Sequence, residues 1–521
     1  MKRVLVIILV FMTVMQALGA PPTPADPFEL PGEFVPANPI DEHVLARLRR
    51  HRIEPARLCS DAVFIRRAYL DLIGTLPEAA AVREFLENKQ PDKRARLIDE
   101  LLERPEFGDY WALKWCDLLR VKSEFPINLW PNAVQAYHRW IRDSIAQNKP
   151  YDRFAYELLT SSGSNFRIPP VNFYRAIQGR EPSAIAAAVA LTFMGQRIEH
   201  WPPDRRRDLE ALFSRVAFKA TAEWKEEIVY LDPAAAEPLR TRLPDGTEVE
   251  IPPETDARRV FADWLTGRGN QHLARAAVNR IWYWLMGRGI IHEPDDIRPD
   301  NPPSNPELLE YLEQELIRTG FHLRHVYRLI ANSRTYQQSC IPRGDDAAAE
   351  ALFAFYPVRR LDAEVLIDAL NAICGSSERY VSVIPEPYTF IPENQRSIAL
   401  ADGSITSPFL ELFGRPARDT GLESERDNRP TDAQRLHLLN SSHIRNKIED
   451  SERLRALVRM NRANSARLIR SLYLNILSRY PTPQEAAAAQ EYLRGSGLSA
   501  REAALDLVWA LVNTKEFLYR H

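Results

Sequence analysis

Glycine is scarce in this sequence, and neither sign of charge dominates it. The 521 residues include 20 glycines, below the ~7% of an average chain. No G-x-G-x-x-G, Walker A, G-x-S-x-G or H-E-x-x-H pattern occurs. Dinucleotide binding, P-loop phosphate binding, a nucleophile elbow and a zincin site therefore all lack their signatures. Lys and Arg number 68 against 70 Asp and Glu, a net charge of −2, so no global basic field recruits nucleic acid. The four cysteines form no C-x-x-C. A zinc ribbon, a thioredoxin site and a haem c attachment site are excluded by the same count. Beyond the first twenty residues no uncharged apolar run approaches the ~20 residues that span a bilayer. Proline, by contrast, is plentiful at 39, and this composition fits helices separated by proline-marked turns. At 45% hydrophobic and 26% charged, the chain has the composition of a folded globular protein. Length suggests about three domains.

The N-terminus carries a targeting pattern. Lys2 and Arg3 precede an apolar stretch from Val4 to Met15, and Ala17-Leu18-Gly19 supplies small residues for cleavage. This three-region order predicts a secretory signal peptide over residues 1–19. The mature protein is then exported, to the periplasm, the cell envelope or the medium, with no transmembrane anchor after cleavage. Export permits disulfides. Cys59 with Cys116 and Cys340 with Cys374 are the local pairings, and four buried free thiols are the alternative.

Residues 20–40 are proline-rich and read as a linker. Helical periodicity begins at Asp41, a candidate cap for DEHVLARLRRH, and Asp61 is a candidate cap for AVFIRRAYLDLIG. Further helices are predicted near Glu78–Asn88, Asp92–Glu103, Phe107–Leu119, Asn132–Gln147, Tyr151–Ser161 and Ser183–Gln196. Residues 215–255 differ: Ile228–Leu231 is β-prone, and Asp245-Gly246 sits between two alternating runs, a hairpin signal. The expected fold is mainly α and multi-helical. A small β-hairpin insertion separates an N-terminal helical block (41–214) from a C-terminal one (256–521). Ile281, Trp282, Trp284 and Leu285 cover more than one face of a single helix, which places that helix at the junction of the two blocks. Residues 64–77 (FIRRAYLDLIGTLP) also match 468–481 (LIRSLYLNILSRYP) in register, and a duplicated three-helix unit is expected.

Long stretches resemble a known pairing. FIRRAYLDLIGTLPEAAAVREFL and RARLIDELLERPEFGDYWALKWCDLLR look like the first of two paired domains of unknown function, numbered 1549 and 1553. The second resembles FADWLTGRGNQHLARAAVNRIWYWLMGRGIIHEPDDIRPDNPPSNPELLEYL, SRTYQQS, RRLDAEVLIDAL and FGRPARDTGLESERDNRPTDAQRLHLLN. The resemblance implies an exported, helical, planctomycete-type protein. Many relatives carry Cys-x-x-Cys-His after the segment matching FMGQRIE; here His200-Trp201-Pro202-Pro203 follows. Covalent haem is therefore not expected, and a redox role loses its ligands.

Four polar groupings are candidates for chemistry. His292, Glu293, Asp295, Asp296 and Asp300 crowd one loop, an oxygen-rich set able to hold Ca²⁺; turn and cap chemistry, with Asn305 opening the next helix, accounts for the same residues. Glu199 beside His200 is a possible base or ligand. Trp224-Lys225-Glu226-Glu227 joins an aromatic face to charges, a combination able to bind sugar; a strand-edge salt-bridge pattern accounts for the same residues. Arg415 and Arg418 lie in an arginine-rich loop suited to anions. The combined reading is a binding or scaffold component of a periplasmic or envelope assembly, with an envelope protein or a polysaccharide as partner. The alternative is a hydrolase or carbohydrate-active enzyme with a carboxylate or metal site near Asp295 and Asp296. The mature chain is expected to start at or next to Ala20; intact-mass measurement of the exported protein checks this, and a form retaining Met1 contradicts it.

Overall fold

The computed structural model describes residues 26–234, 237–461 and 464–521. The expected signal peptide and the first part of the proline-rich segment lie outside the described residues. The chain is mainly α, with small antiparallel sheets. The predicted helices form within a residue or two of their expected bounds, for example Ala79–Glu87, Pro131–Ala146 and Tyr151–Thr160. Two caps fall elsewhere. Ser60, not Asp61, accepts from the Val63 N–H. Asn38 is the N-cap of the first helix and Asp41 closes the capping box from its third position; the same Asp41 carboxylate also accepts from the N–H groups of Arg334 (2.9 Å) and Thr335 (2.8 Å). The end of the proline-rich segment does not stand free either: Leu30 N–H donates to the Leu58 carbonyl at 2.8 Å, and Phe28 packs on the core.

The β region holds more than the one hairpin read from the sequence. Leu239–Arg242 and Glu248–Ile251 pair around Asp245-Gly246 as expected. Val216–Ala220 and Glu227–Leu231 form a second hairpin, and Gly163–Ser164 adds a third strand to it from the N-terminal block. Val216–Ala220 carries too little β-branched residue content to announce itself.

The duplicated unit is visible in the helices. Asp61–Leu72 and Ser465–Ile476 are both 12 residues long. Each packs on the two helices that follow it, Ala79–Glu87 and Lys93–Glu103 in the first copy, Pro483–Gly495 and Ala500–Val512 in the second. The copies touch: Arg66, buried, donates to the carbonyls of Ile476 (2.8 Å) and Phe517 (3.1 Å).

One continuous apolar core runs from Ile40 to Phe517. At its centre lie two helices that are buried almost all round, Pro105–Leu118 and His272–Met286. Trp111 and Trp115 of the first each meet Trp284 of the second at 5.5 Å between ring centroids, and Trp282 meets Phe353 at 5.0 Å. The junction role read from Ile281–Leu285 is therefore what the fold shows. All four cysteines are free thiols, so neither local disulfide forms. Burial pushes the thiols of Cys116 and Cys374 up to about 12, which leaves them unreactive. Replacing Trp282 or Trp284 with Ala empties part of this core and should cost about 3–5 kcal/mol. Chemical denaturation of the two variants checks this; midpoints equal to wild type contradict it.

Candidate functional site

Lys114 and Asp117 lie one turn apart in the apolar second half of helix Pro105–Leu118, and both are buried. Charges placed there need partners, and the partners come from the other half of the sequence. Asp117 accepts from Arg418 at 2.9 Å and from Arg426 at 2.7 Å. Arg426 also forks onto Glu364 at 2.7 and 3.1 Å. Lys114 Nζ lies 3.1 Å from Asp362, which also accepts from Arg520 at 3.1 Å and Asn428 at 2.6 Å. Arg520 continues to Asp71 at 2.8 Å, whose carboxylate takes the hydroxyls of Tyr336 and Tyr356. The result is a buried lattice of arginines, one lysine and carboxylates that stitches N-terminal helices to C-terminal loops.

The loop 414–428 can reach this position because two of its glycines leave room. A Cβ on Gly414 would meet the Asp427 carbonyl oxygen at 1.8 Å. Gly421, at φ +73°, lies so close to the end of helix Pro105–Leu118 that a Cβ would stand 2.7 Å from both the Leu118 carbonyl oxygen and the Arg120 guanidinium carbon.

Burial raises the Asp117 carboxyl, but Arg426 and Arg418 outweigh it and hold the group below its ordinary range. Asp362 follows the same logic, with Lys114 and Arg520 holding it well below. Burial and then Arg426 lower Lys114. Glu423 goes the other way. Burial lifts its carboxyl to about 7, against the pull of Lys114 and of the Trp284 indole. Among the described residues its carboxylate makes no ion pair; its backbone N–H donates to Asp295 at 2.6 Å and its carbonyl accepts from the Arg426 N–H at 3.2 Å.

The residues singled out in the sequence divide between this lattice and the surface. Asp295 is buried and paired with Arg280 at 2.8 Å. Asp296 and Asp300 share Arg298, at 3.2 and 3.3 Å. Glu293 lies 3.4 Å from His292. Among the described residues no three His, Cys, Asp or Glu side chains gather as a metal ion requires. Asn305 caps its helix, accepting from the Leu308 N–H. Glu199 and His200 are exposed, and among the described residues their side chains make no hydrogen bond or ion pair; the His200 N–H donates to the Arg197 carbonyl at 3.3 Å. Arg415 and Arg418 are buried. Arg415 donates to the Asp402 carbonyl and stands 3.5 Å from Glu364, and Arg418 binds Asp117. These two arginines are internal ties, not an open anion site. Sequence reading missed Lys114, Asp117, Asp362, Glu364, Glu423 and Arg426. The signal that could have found the first two is a lysine and an aspartate at i, i+3 inside YWALKWCDLL, a run too apolar to have a solvent face.

A second grouping is open to solvent. Trp130, Trp224 and Tyr388 come from three separate segments and meet edge to face or tilted, with centroids 4.6, 5.5 and 5.7 Å apart. Lys225 Nζ lies 5.2 Å from the Trp130 ring and 5.7 Å from the Trp224 ring. Trp224 is 60% exposed and Tyr388 50%. The turn carrying Trp224 is pinned by Glu226, which accepts from Ser164 Oγ at 2.5 Å and Thr221 Oγ1 at 2.8 Å. The loop carrying Trp130 is tied to the lattice loops. Ser123 N–H donates to Asp402 at 2.9 Å, and Lys122 pairs with Asp419 at 2.6 Å. Of the four sequence candidates, Trp224 is thus the one the fold surrounds with aromatic partners and leaves accessible.

Glu423 gives the lattice a pH signature. Its folded-state value of about 7 exceeds its ordinary 4.5, so the unfolded chain releases the proton first. This group's contribution is full below about pH 4.5, falls as pH rises towards 7 and then levels off. Glu423→Gln removes that loss and should be the more stable protein at pH 8, by about 3 kcal/mol, while matching wild type at pH 4.5. Asp368, raised by burial to about 6, contributes equally to both proteins, so the difference isolates Glu423. Denaturation curves from pH 4.5 to 8 check this; curves that stay parallel contradict it.

Two family descriptions match the chain. PSCyt2, a protein of unknown function (DUF1549), matches residues 39–200, and PSD1, a protein of unknown function (DUF1553), matches residues 257–493. Neither a curated protein nor a solved structure matches it. The lattice therefore runs between the two matched regions, from Lys114 and Asp117 in the first to Asp362, Glu364, Arg418 and Arg426 in the second. The chain thus carries both regions of the pair, DUF1549 at residues 39–200 and DUF1553 at residues 257–493.

Proposed function

We propose that this protein is an exported binding component that holds neutral polysaccharide at the aromatic platform of Trp130, Trp224 and Tyr388. The observation that carries this reading is the exposure of Trp224 and Tyr388 beside the half-buried Trp130. Three aromatics from distant segments converge at the surface instead of in the core, and exposed aromatic groupings of this kind mark contact surfaces. A sugar ring has an apolar C–H face and a rim of hydroxyls. It suits flat aromatic faces bordered by a polar group, here Lys225. Edge-to-face contacts hold the rings in place, so little ordering entropy is lost on binding. The near-neutral charge of the chain also favours an uncharged ligand over a polyanion.

Hydrolysis near Asp295 and Asp296 has weaker support. Asp295 is committed to Arg280 and to the Glu423 N–H, while Asp296 is committed to Arg298.

Affinity electrophoresis of the mature chain through gels containing β-glucan, mannan or xylan tests the platform. Retardation by at least one of these is expected. Trp224→Ala should weaken it about tenfold, equivalent to ~1.4 kcal/mol, while stability changes by no more than about 0.5 kcal/mol, as for other exposed sites. Equal retardation of wild type and Trp224→Ala, or none by any of the three, contradicts the reading.

A further inference from the structure

A groove of about 1150 Å³ lies between helix Tyr151–Thr160, helix Ala257–Thr266 and the end of strand Glu227–Leu231. Tyr156, Tyr230, Ser162, Glu254, Thr255 and Arg259 line it, and none of these six is buried. Its floor is rigid. The buried Arg258 guanidinium donates to Asp256 at 2.9 Å, Ser162 Oγ at 2.9 Å and the Ser161 carbonyl at 3.0 Å.

Size and chemistry narrow the occupant. Pockets for small molecules measure roughly 300–1,000 Å³ and enclose most of the ligand; this groove is larger and open. It suits a segment of a longer chain that stays partly in water. Two half-buried tyrosines and a row of hydroxyls offer stacking and hydrogen bonds together. The charges nearly cancel. Arg153 pairs with Glu157 at 3.0 Å and Arg258 with Asp256 at 2.9 Å, which leaves Asp152 and Glu254 against Arg259. No cationic track for a polyanion results.

The groove and the aromatic platform lie at opposite ends of one strand. Tyr230 and Leu231 line the groove, and Trp224 stands in the turn that opens the strand. Tyr230 lies six positions beyond Trp224, at most about 20 Å of fully extended chain. We infer that the groove is a second subsite for the same neutral polysaccharide, so that one glycan chain engages both ends of the hairpin. This rests on the platform reading. Joining the two sites makes the second contact intramolecular, which raises affinity only for chains long enough to reach both.

Calorimetric titration with size-graded oligosaccharides of β-glucan, mannan and xylan tests the inference. Long chains of the bound type should bind at least tenfold more tightly than short ones. The double variant Tyr156→Ala/Tyr230→Ala should lose that advantage and keep the short-chain affinity. Thr255→Trp, which fills the groove without removing a packed side chain, should do the same. Trp224→Ala should weaken binding at every length. Groove variants that keep the full length dependence, or a wild type with none, overturn the second subsite and leave the platform standing. A Trp224→Ala variant that binds every length as wild type does overturns the platform itself.

Discussion

Buried arginines paired with carboxylates from distant sequence are the constraint on which this fold depends. Asp117 sits in the fully buried second half of its helix, and two arginines more than 300 residues away neutralise it. Such pairs add little net stability over an apolar packing, because desolvation offsets most of the attraction. Breaking one is another matter: an uncompensated buried charge costs about 3–5 kcal/mol. The lattice therefore acts less as glue than as a key. In the observed docking of the two family regions Asp71, Asp117, Asp362 and Glu364 are all paired at once. The tryptophan contacts of Trp111 and Trp115 with Trp284 supply the non-directional share of the burial, and the ion pairs select the arrangement.

That selection extends to the surface. Arg418 and Arg426 hold the 414–428 loop, and Asp419 of the same loop holds Lys122. Asp402 and Ser404 hold the backbone of Ser123 and Glu124, and Glu124 in turn accepts from Val383 N–H at 3.2 Å. The segments bearing Trp130 and Tyr388 are thus anchored step by step to the interior. Binding groups placed on loops over a rigid scaffold follow the general pattern of proteins, and here the scaffold is electrostatic as well as apolar.

Much of the helical framework was legible because helix periodicity is a local property. The repeat at 64–77 and 468–481 was legible for the same reason, and in each copy the first helix packs on the two that follow it. Trp282 and Trp284 announced their burial because a helix with aromatics on several faces has no solvent side. What could not be read was which distant charges meet. Nothing in RRLDAE or in FGRPARDTGLESERDNRP states that Asp362 takes Lys114, or that Arg418 takes Asp117. Arg415 and Arg418 looked like an exposed anion site because their loop is polar, and only the fold shows that the loop turns inward. Trp224 was legible as an aromatic among charges. Its partners Trp130 and Tyr388 were not, since each lies in an irregular segment brought there by long-range contacts.

If the buried lattice makes the two family regions one folding unit, they cannot unfold separately. Differential scanning calorimetry of the mature chain tests this most directly. The account predicts a single transition whose calorimetric and van't Hoff enthalpies agree. Two resolved transitions, or a calorimetric enthalpy well above the van't Hoff value, would contradict it.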